Sequence, residues 1–255
     1  ITQDEGYLLI NGNINQEIKL NKNDTYKKIV VEKESGEVSI ETEAEIETFE
    51  NIKGKTIFEK EAEITTLKNN DILEFNSNLT VNGTVDNSEK ITISGTTKIA
   101  TLKNEGFIQL NDEVDITTLT NSRNVEIKRT SKITTLKNID ENAEIKFNQT
   151  GTVESVENSG KIIINEDLSV KNIVNNGVIT IAENKKILVS GTVEDKNLID
   201  GFIKLNGTEN QTIKLNENNT YKRIIVEKES GEALIETKVN LDTFENIKGI
   251  TVFKE

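Results

Sequence analysis

Residues 64–69 read Ile-Thr-Thr-Leu-Lys-Asn, and the same six residues return at 133–138. Relatives of this hexapeptide occur along most of the chain, and each ends in an asparagine that follows an apolar residue by two positions. The asparagines are Asn51, Asn69, Asn87, Asn104, Asn121, Asn138, Asn158 and Asn175, with Asp195 in the next place. Neighbouring members lie 17 to 20 residues apart, which indicates a short tandem repeat.

Apolar residues occupy fixed places around each asparagine, as the copy that ends at Asn69 illustrates. Ile64 and Leu67 precede Asn69 by five and two positions, whereas Leu73 and Phe75 follow it by four and six. The alternation after the asparagine predicts a strand with one buried face. The two residues before it cannot share one face of a straight strand, so we expect a bend between them. Each repeat therefore predicts one coil of two or three short strands.

A single coil of this kind cannot bury its own apolar side, but stacked coils can. Stacking at a fixed sequence offset makes the paired strands parallel, and a coil this short has no room for a helix of normal length. The sequence therefore predicts an all-β fold, a right-handed parallel β-helix (β-solenoid) of about 17–18 residues per coil. The asparagines are expected to point inward and to bond from coil to coil as a ladder. A left-handed helix of hexapeptide repeats has a similar coil length, but this sequence lacks its six-residue apolar period.

A much longer repeat encloses the short one. Residues 6–60 return at 201–255, an offset of 195 residues, with 33 of 55 aligned positions identical. Two unrelated domains would not share this much sequence, so residues 1–255 are interpreted as a single continuous β-solenoid. Eleven short steps of about 17.7 residues would fill the offset, so we expect the long repeat to contain a whole number of coils.

Two stretches depart from the regular spacing. Asp195 stands in a ladder position, and the apolar residues Ile203 and Leu205 follow it by eight and ten positions instead of four and six. This shift predicts a loop at 195–201. A smaller shift in the sixth repeat of the series predicts another loop at 139–143.

Composition limits the chemistry that is open to the chain. It contains no His and no Cys, which removes the commonest acid–base, nucleophilic and zinc chemistries. A net charge of -13 argues against nucleic acid, whose binding begins with phosphate neutralisation by clustered basic residues. No apolar run approaches the ~20 residues of a membrane span. We therefore predict no enzymatic activity, no catalytic, cofactor-binding or metal-binding residues, no cofactor, no nucleic-acid partner and no membrane insertion.

The combination of a ladder asparagine with a Thr-apolar pair, such as Thr66 and Leu67 before Asn69, recurs in nearly every coil. It resembles the β-helical shafts of large bacterial surface adhesins of the filamentous haemagglutinin kind, and the resemblance covers nearly the whole chain. It implies an extracellular or cell-surface location and an adhesive or spacer role. We accordingly expect a non-catalytic structural or adhesive repeat of a stalk, filament or surface-protein shaft. The expected partners are the protein itself, end to end, through adjacent repeats or head-to-tail subunits, and a cell-surface or polysaccharide ligand.

Other functions remain open as alternatives. A carbohydrate-active β-helix enzyme would interrupt the repeat with a long loop and gather acidic residues in one cleft. A carbohydrate-binding β-helix module is a related alternative. The recurring threonine resembles one half of an ice-binding face, but apolar residues such as Ile64 and Ile99 occupy the place of the second threonine.

Overall fold

The computed structural model describes residues 6–254, and they form a parallel β-solenoid of about 14 turns with about 18 residues per coil. Among the described residues there is no helix, and hence none that could cross a membrane. The predicted all-β solenoid and its coil length are confirmed. The chain divides into two compact units, residues 1–129 (the N-terminal unit) and 130–255 (the C-terminal unit), which are described separately. That both belong to one continuous solenoid stays a prediction.

The N-terminal unit contains twelve described strands, all paired in parallel. They are β1 (Leu8–Gly12), β2 (Gln16–Ile18), β3 (Thr25–Ile40), β4 (Ala44–Phe58), β5 (Ala62–Asn69), β6 (Ile72–Phe75), β7 (Leu79–Asn87), β8 (Lys90–Ile93), β9 (Thr97–Asn104), β10 (Phe107–Leu110), β11 (Val114–Asn121) and β12 (Asn124–Ile127). Each strand pairs with its counterpart one coil away, as β9 does with β11 and β10 with β12.

The predicted bend is visible in the register between β9 and β11. Ile99 pairs with Ile116 and Leu102 with Leu119, but Ala100, between the first pair and the second, has no partner in the register. The longer strand of each coil is thus two straight segments that meet at an angle, and the shorter strand supplies a third segment. This geometry lets the residues five and two before the asparagine both point inward, and Leu119 is 0% exposed.

Aliphatic and aromatic columns fill the interior of the N-terminal unit. Phe58 and Phe75 stack with ring centroids 4.8 Å apart, and Phe49 meets Phe58 edge-on at 5.0 Å. All three rings are fully buried. Because one coil alone would leave these rings in water, burial between successive coils is the main source of stability.

The C-terminal unit contains thirteen described strands. They are β13 (Ser131–Asn138), β14 (Glu144–Phe147), β15 (Gly151–Asn158), β16 (Lys161–Ile164), β17 (Leu168–Asn175), β18 (Val178–Ile181), β19 (Lys186–Val189), β20 (Val193–Asp195), β21 (Leu198–Asp200), β22 (Phe202–Leu205), β23 (Gln211–Lys214), β24 (Thr220–Ile235) and β25 (Asn240–Phe253). The predicted loop at 139–143 is confirmed as a turn, in which Ala143 N donates to Asp140 O at 3.1 Å.

The predicted loop at 195–201 is wrong, because this stretch contains strand β21, which pairs in parallel with β18. Ile199 is buried and fills the place four residues after Asp195. The place six after it is taken by Gly201, where a Cβ atom would lie 2.4 Å from the Cβ of Ile181. Because glycine has no apolar side chain, the pattern of apolar residues four and six places after the ladder residue did not reveal this coil. The pair 203/205 belongs to the next coil, where β22 stacks on β19.

The expected whole number of coils in the long repeat includes three coils of 17 residues between Asp195 and Asn246, and the C-terminal unit does not form them. Asn246 is the equivalent of Asn51 at the 195-residue offset, but it does not stack in the column of Asn175. It lies instead in the column five residues before the ladder asparagine, which runs through Val170, Val189, Leu205 and Val226. The segment that carries the ladder continues to Phe253 through Ile173, Val193, Ile213 and Ile235.

Long coils explain this change of column. Val193, Ile213 and Ile235 stack on one another at intervals of 20 and then 22 residues, compared with 17 between Asn158 and Asn175. Three coils therefore do not fit into the 51 residues between Asp195 and Asn246.

Candidate functional site

A ladder of buried asparagine amides is the most regular polar feature of the N-terminal unit. Each Nδ2 donates to the Oδ1 of the asparagine in the next coil, at 2.9 Å from Asn51 to Asn69, 2.8 Å to Asn87, 2.7 Å to Asn104 and 2.8 Å to Asn121. The second hydrogen of Nδ2 goes to a turn carbonyl, as from Asn104 to Gly106 O at 2.9 Å. The predicted inward ladder is confirmed, and its atoms are satisfied within the core as buried polar groups require.

The ladder of the C-terminal unit ends on a carboxylate. Asn138, Asn158 and Asn175 continue the pattern, and Asn175 Nδ2 donates to Asp195 Oδ1 at 2.7 Å. Tyr221 OH donates to the other oxygen, Oδ2, at 2.5 Å. Asp195 has no amide hydrogens to pass on, so it ends the ladder and pairs with a hydroxyl from the following coil.

Asp195 and Tyr221 form a buried, hydrogen-bonded pair of titratable groups in the C-terminal unit. Burial raises the pKa of Asp195, although hydrogen bonds from Tyr221 and Asn175 oppose the rise. Burial, together with the hydrogen bond to Asp195, also raises the pKa of Tyr221. Both groups are deep inside the coil and almost fully covered, so they stabilise the fold and are not placed to react with a substrate.

Two lysines are buried in the interior at equivalent places of the long repeat. Lys33 Nζ donates to Ile14 O and Gln16 Oε1, and Lys228 Nζ donates to Glu209 O and Gln211 Oε1. Burial lowers the pKa of Lys228. Sequence reasoning missed these residues, because a lysine among glutamates looks like a surface residue. The signal that could have found them is their return at the 195-residue offset together with the glutamine.

Glycines 54 and 249 provide the space for these two lysines. Gly54 has a φ of +93°, and a Cβ there would lie 2.7 Å from the Cβ of Lys33. Gly249 has a φ of +104°, and its Cβ would lie 2.9 Å from that of Lys228. Each buried lysine therefore packs directly against the backbone of its glycine.

Charged side chains of opposite sign alternate on the outside, one residue before the ladder asparagine. Glu50 lies 3.5 Å from Lys68 and 2.8 Å from Lys28. Lys103 lies 3.6 Å from Asp86. A hydrogen bond from Lys28 lowers the pKa of Glu50. These carboxylates pair with lysines of neighbouring coils and are spread along the stack, which is the arrangement of a solvated face.

The threonine column of the N-terminal unit lies at the bend of the coil. Thr66, Thr84, Thr101 and Thr118 stack in register and are half-buried. A half-buried row at a corner differs from the flat, exposed double row that the ice-binding alternative would need.

The C-terminal unit carries a shallow groove of about 270 Å³ on its outer surface. Hydroxyls from successive coils line it, contributed by Thr134, Thr152, Ser169 and Ser190. Asn206 also lines it, and its buried Oδ1 accepts no hydrogen bond from the described residues. Glu154 is the only acid among the described residues of the lining.

The described residues form no cluster of three or more carboxylates placed to hold a metal ion. No protein-family model matches the chain, and neither a curated protein nor a solved structure matches it.

Proposed function

We propose that this chain is a non-catalytic structural repeat of an extracellular filament or cell-surface shaft. The observation that carries the proposal is the unbroken stacking inside each unit, in which polar side chains serve neighbouring coils. The amide nitrogen of Asn104, for example, donates to Asn121 Oδ1 and to the backbone carbonyls of Gly106 and Asn124. A stack held together this way repeats the same structure along its axis, as a shaft or filament requires.

Location is tested with antibodies raised against residues 1–255 and applied to intact cells that make the protein. Labelling of unpermeabilised cells, removed by external protease, is the expected result. A cytosolic enzyme of the same cells serves as the control and should be labelled only after permeabilisation. Labelling of this chain that also requires permeabilisation would overturn the extracellular part of the proposal.

The groove of the C-terminal unit favours a second candidate function, binding of an extended polysaccharide. Rows of hydroxyls offer both donors and acceptors to a sugar chain that runs along the stack. A glycosidase would require a second carboxylate in the groove beside Glu154. The groove therefore fits binding better than hydrolysis.

A glycan array tests this candidate, followed by titration of any sugar that binds. Ser169→Trp places a large side chain in the middle of the groove and should abolish binding, whereas Thr66→Trp, outside the groove, should leave it intact. Cleavage of the bound sugar, detected as new reducing ends, would contradict the non-catalytic assignment. Equal binding by both variants would place the sugar elsewhere.

A further inference from the structure

Strand β25 is exposed, although its sequence equivalent β4 is buried. Phe253 is 49% exposed, whereas its equivalent Phe58 is 0% exposed. Asn246 is exposed in the same strand, whereas its equivalent Asn51 is 1% exposed. Phe244 is half-buried, whereas its equivalent Phe49 is 0% exposed. These residues lie in the identical segments Thr243–Gly249 and Thr48–Gly54, so the difference arises from what covers each strand and not from the side chains themselves.

The N-terminal unit shows what covers such a strand. β4 is capped by the next coil, in which Phe49 pairs with Leu67, Asn51 with Asn69 and Phe58 with Phe75. The residues of this coil that pair with β4 lie within 61–75. The pairing leaves Asn51 Nδ2 bonded to Asn69 Oδ1 and the Asn51 backbone carbonyl bonded to Asn70 N at 2.8 Å.

Polar groups of β25 also lack hydrogen bonds that the equivalent groups of β4 make. Thr56 Oγ1 donates to Asn51 Oδ1 at 3.1 Å, but the equivalent Thr251 Oγ1 is buried without a partner among the described residues. Asn246 Nδ2 turns back to Gly249 O at 3.2 Å instead of donating to a ladder neighbour. Asn246 thus occupies the place of the first ladder asparagine, Asn51, but it does not donate to an asparagine of a following coil.

The column of Asn246 determines where that ladder would form. Asn246 stacks above Val226, in the column of Val170, whereas the ladder of Asn158 and Asn175 lies on the adjacent straight segment of the coil. A coil that docks on β25 in the register of residues 61–75 would put its own ladder asparagine above Asn246. The new ladder would then run along a different face from the old one.

We propose that β25 is the docking edge for a coil with the pattern of residues 61–75, supplied by a following 195-residue repeat, and that the joint turns the solenoid by one face. Since each coil has three straight segments, three successive repeats would present the same outer surface on three sides. In such a filament, each outer face of the repeat would point in three different directions over three successive repeats. The inference rests on the repeat character in the proposed function and is independent of where the protein is located.

The test extends the full chain, joining Glu255 directly to a second copy of residues 61–200. Hydrogen exchange of the β25 amides should slow by at least tenfold relative to the original chain. A second extension of equal length, with the order of residues 61–200 shuffled, should leave β25 exchange unchanged. The β4 amides are the internal reference and should exchange equally slowly in all three proteins. Unchanged exchange of β25 in the ordered extension would overturn the docking.

A structure of the extended chain tests the change of face. The expected contact is Asn246 Nδ2 donating to the Oδ1 of the added copy of Asn69. An added ladder that continues above Asp195 and Leu215 would overturn the rotation even if docking occurs. Asn246→Ala should lower the urea midpoint of the extended chain but not of the original chain, whereas Asn51→Ala should lower both. Failure of this pattern, with normal surface labelling of cells, would refute the joint and leave the proposed function standing.

Discussion

The asparagine ladder shows how one residue type sets the register of a coil. Asparagine carries a donor and an acceptor on a short side chain, so each amide can accept from one coil and donate to the next. Aspartate at the same place can only accept when ionised. Asp195 is tolerated because it ends the series and receives a hydrogen from Tyr221.

Asn104→Asp tests the directionality of the ladder. The new carboxylate oxygen would face Asn121 Oδ1, Gly106 O and Asn124 O, all of which are acceptors. An unpaired buried charge should cost on the order of 3 kcal/mol or more at pH 7. Burial would raise the pKa of this carboxyl, so the loss should shrink as the pH falls and the acid regains a proton to donate.

Urea unfolding at pH 7 and pH 4 measures this effect. Asn124→Asp is the matched control, since that side chain is exposed at the start of β12, and its cost should stay within about 0.5 kcal/mol. A loss for Asn104→Asp that is as small as the control would show that the ladder is not a continuous chain of directed bonds.

Tyr221→Phe tests the end of the second ladder through its pH dependence. Burial raises the pKa of Asp195 above its ordinary value of 3.8, so its contribution to stability is complete below that pH and is lost as pH rises through the folded value. The Tyr221 hydroxyl limits this loss by donating to the carboxylate. Its removal should raise the pKa of Asp195 further and cost about 1–3 kcal/mol at pH 7, with a smaller cost near pH 3.5.

The free energy of unfolding, measured between pH 3.5 and pH 7, gives the required comparison. Tyr7→Phe is the control because Tyr7 is 57% exposed, and it should be neutral across the range. A cost of Tyr221→Phe that does not change with pH would mean that Asp195 does not titrate in this window.

At the scale of the element, the regular coils could be predicted from the sequence and the long coils could not. The coils of Asn69, Asn104 and Asn121 keep the same apolar positions around the asparagine, and the pairing of Ile64 with Ile46 and of Leu67 with Phe49 was predictable from spacing alone. The coil of Asn87 contains one extra residue, which shifts the register after Val81. Spacing does not distinguish extra residues inside a coil from a loop. The extra residues of β24 lie at a corner of the coil that the buried side chain of Lys228 fills. In the coil of β21, Gly201 stands at the place where the spacing pattern expects an apolar residue.

Leu119→Ala tests the assignment of inward and outward residues within one strand. Leu119 is fully buried in β11, so its truncation should cost about 2–5 kcal/mol through lost burial and a cavity. Lys103→Ala, in the neighbouring β9, should stay within about 0.5 kcal/mol, because its exposed ion pair with Asp86 contributes little. Thermal or urea unfolding of both variants provides the measurement. Equal costs at the two sites would contradict the assignment.

At the scale of the whole molecule, end-to-end pairing is the interaction that the fold makes available. Parallel strands with unpaired edges readily accept strands of other chains. Of the described strands, β25 combines an exposed edge with the exposed apolar residues Ile247, Ile250 and Phe253. When no further repeat covers β25, the first coil of a second molecule, which carries β1 and β2, is the expected substitute.

Phe253→Lys tests this head-to-tail association. The native chain should form open-ended oligomers at high protein concentration, because a joint between two different surfaces propagates and does not close into a dimer. Lysine at position 253 places a charge on the docking edge and should reduce association measured by sedimentation velocity. Ile139→Lys is the matched control: Ile139 is 55% exposed in the turn after β13, away from β25, and its replacement should leave the oligomer distribution unchanged. A discrete dimer, or equal effects of the two variants, would show that association does not use the β25 edge.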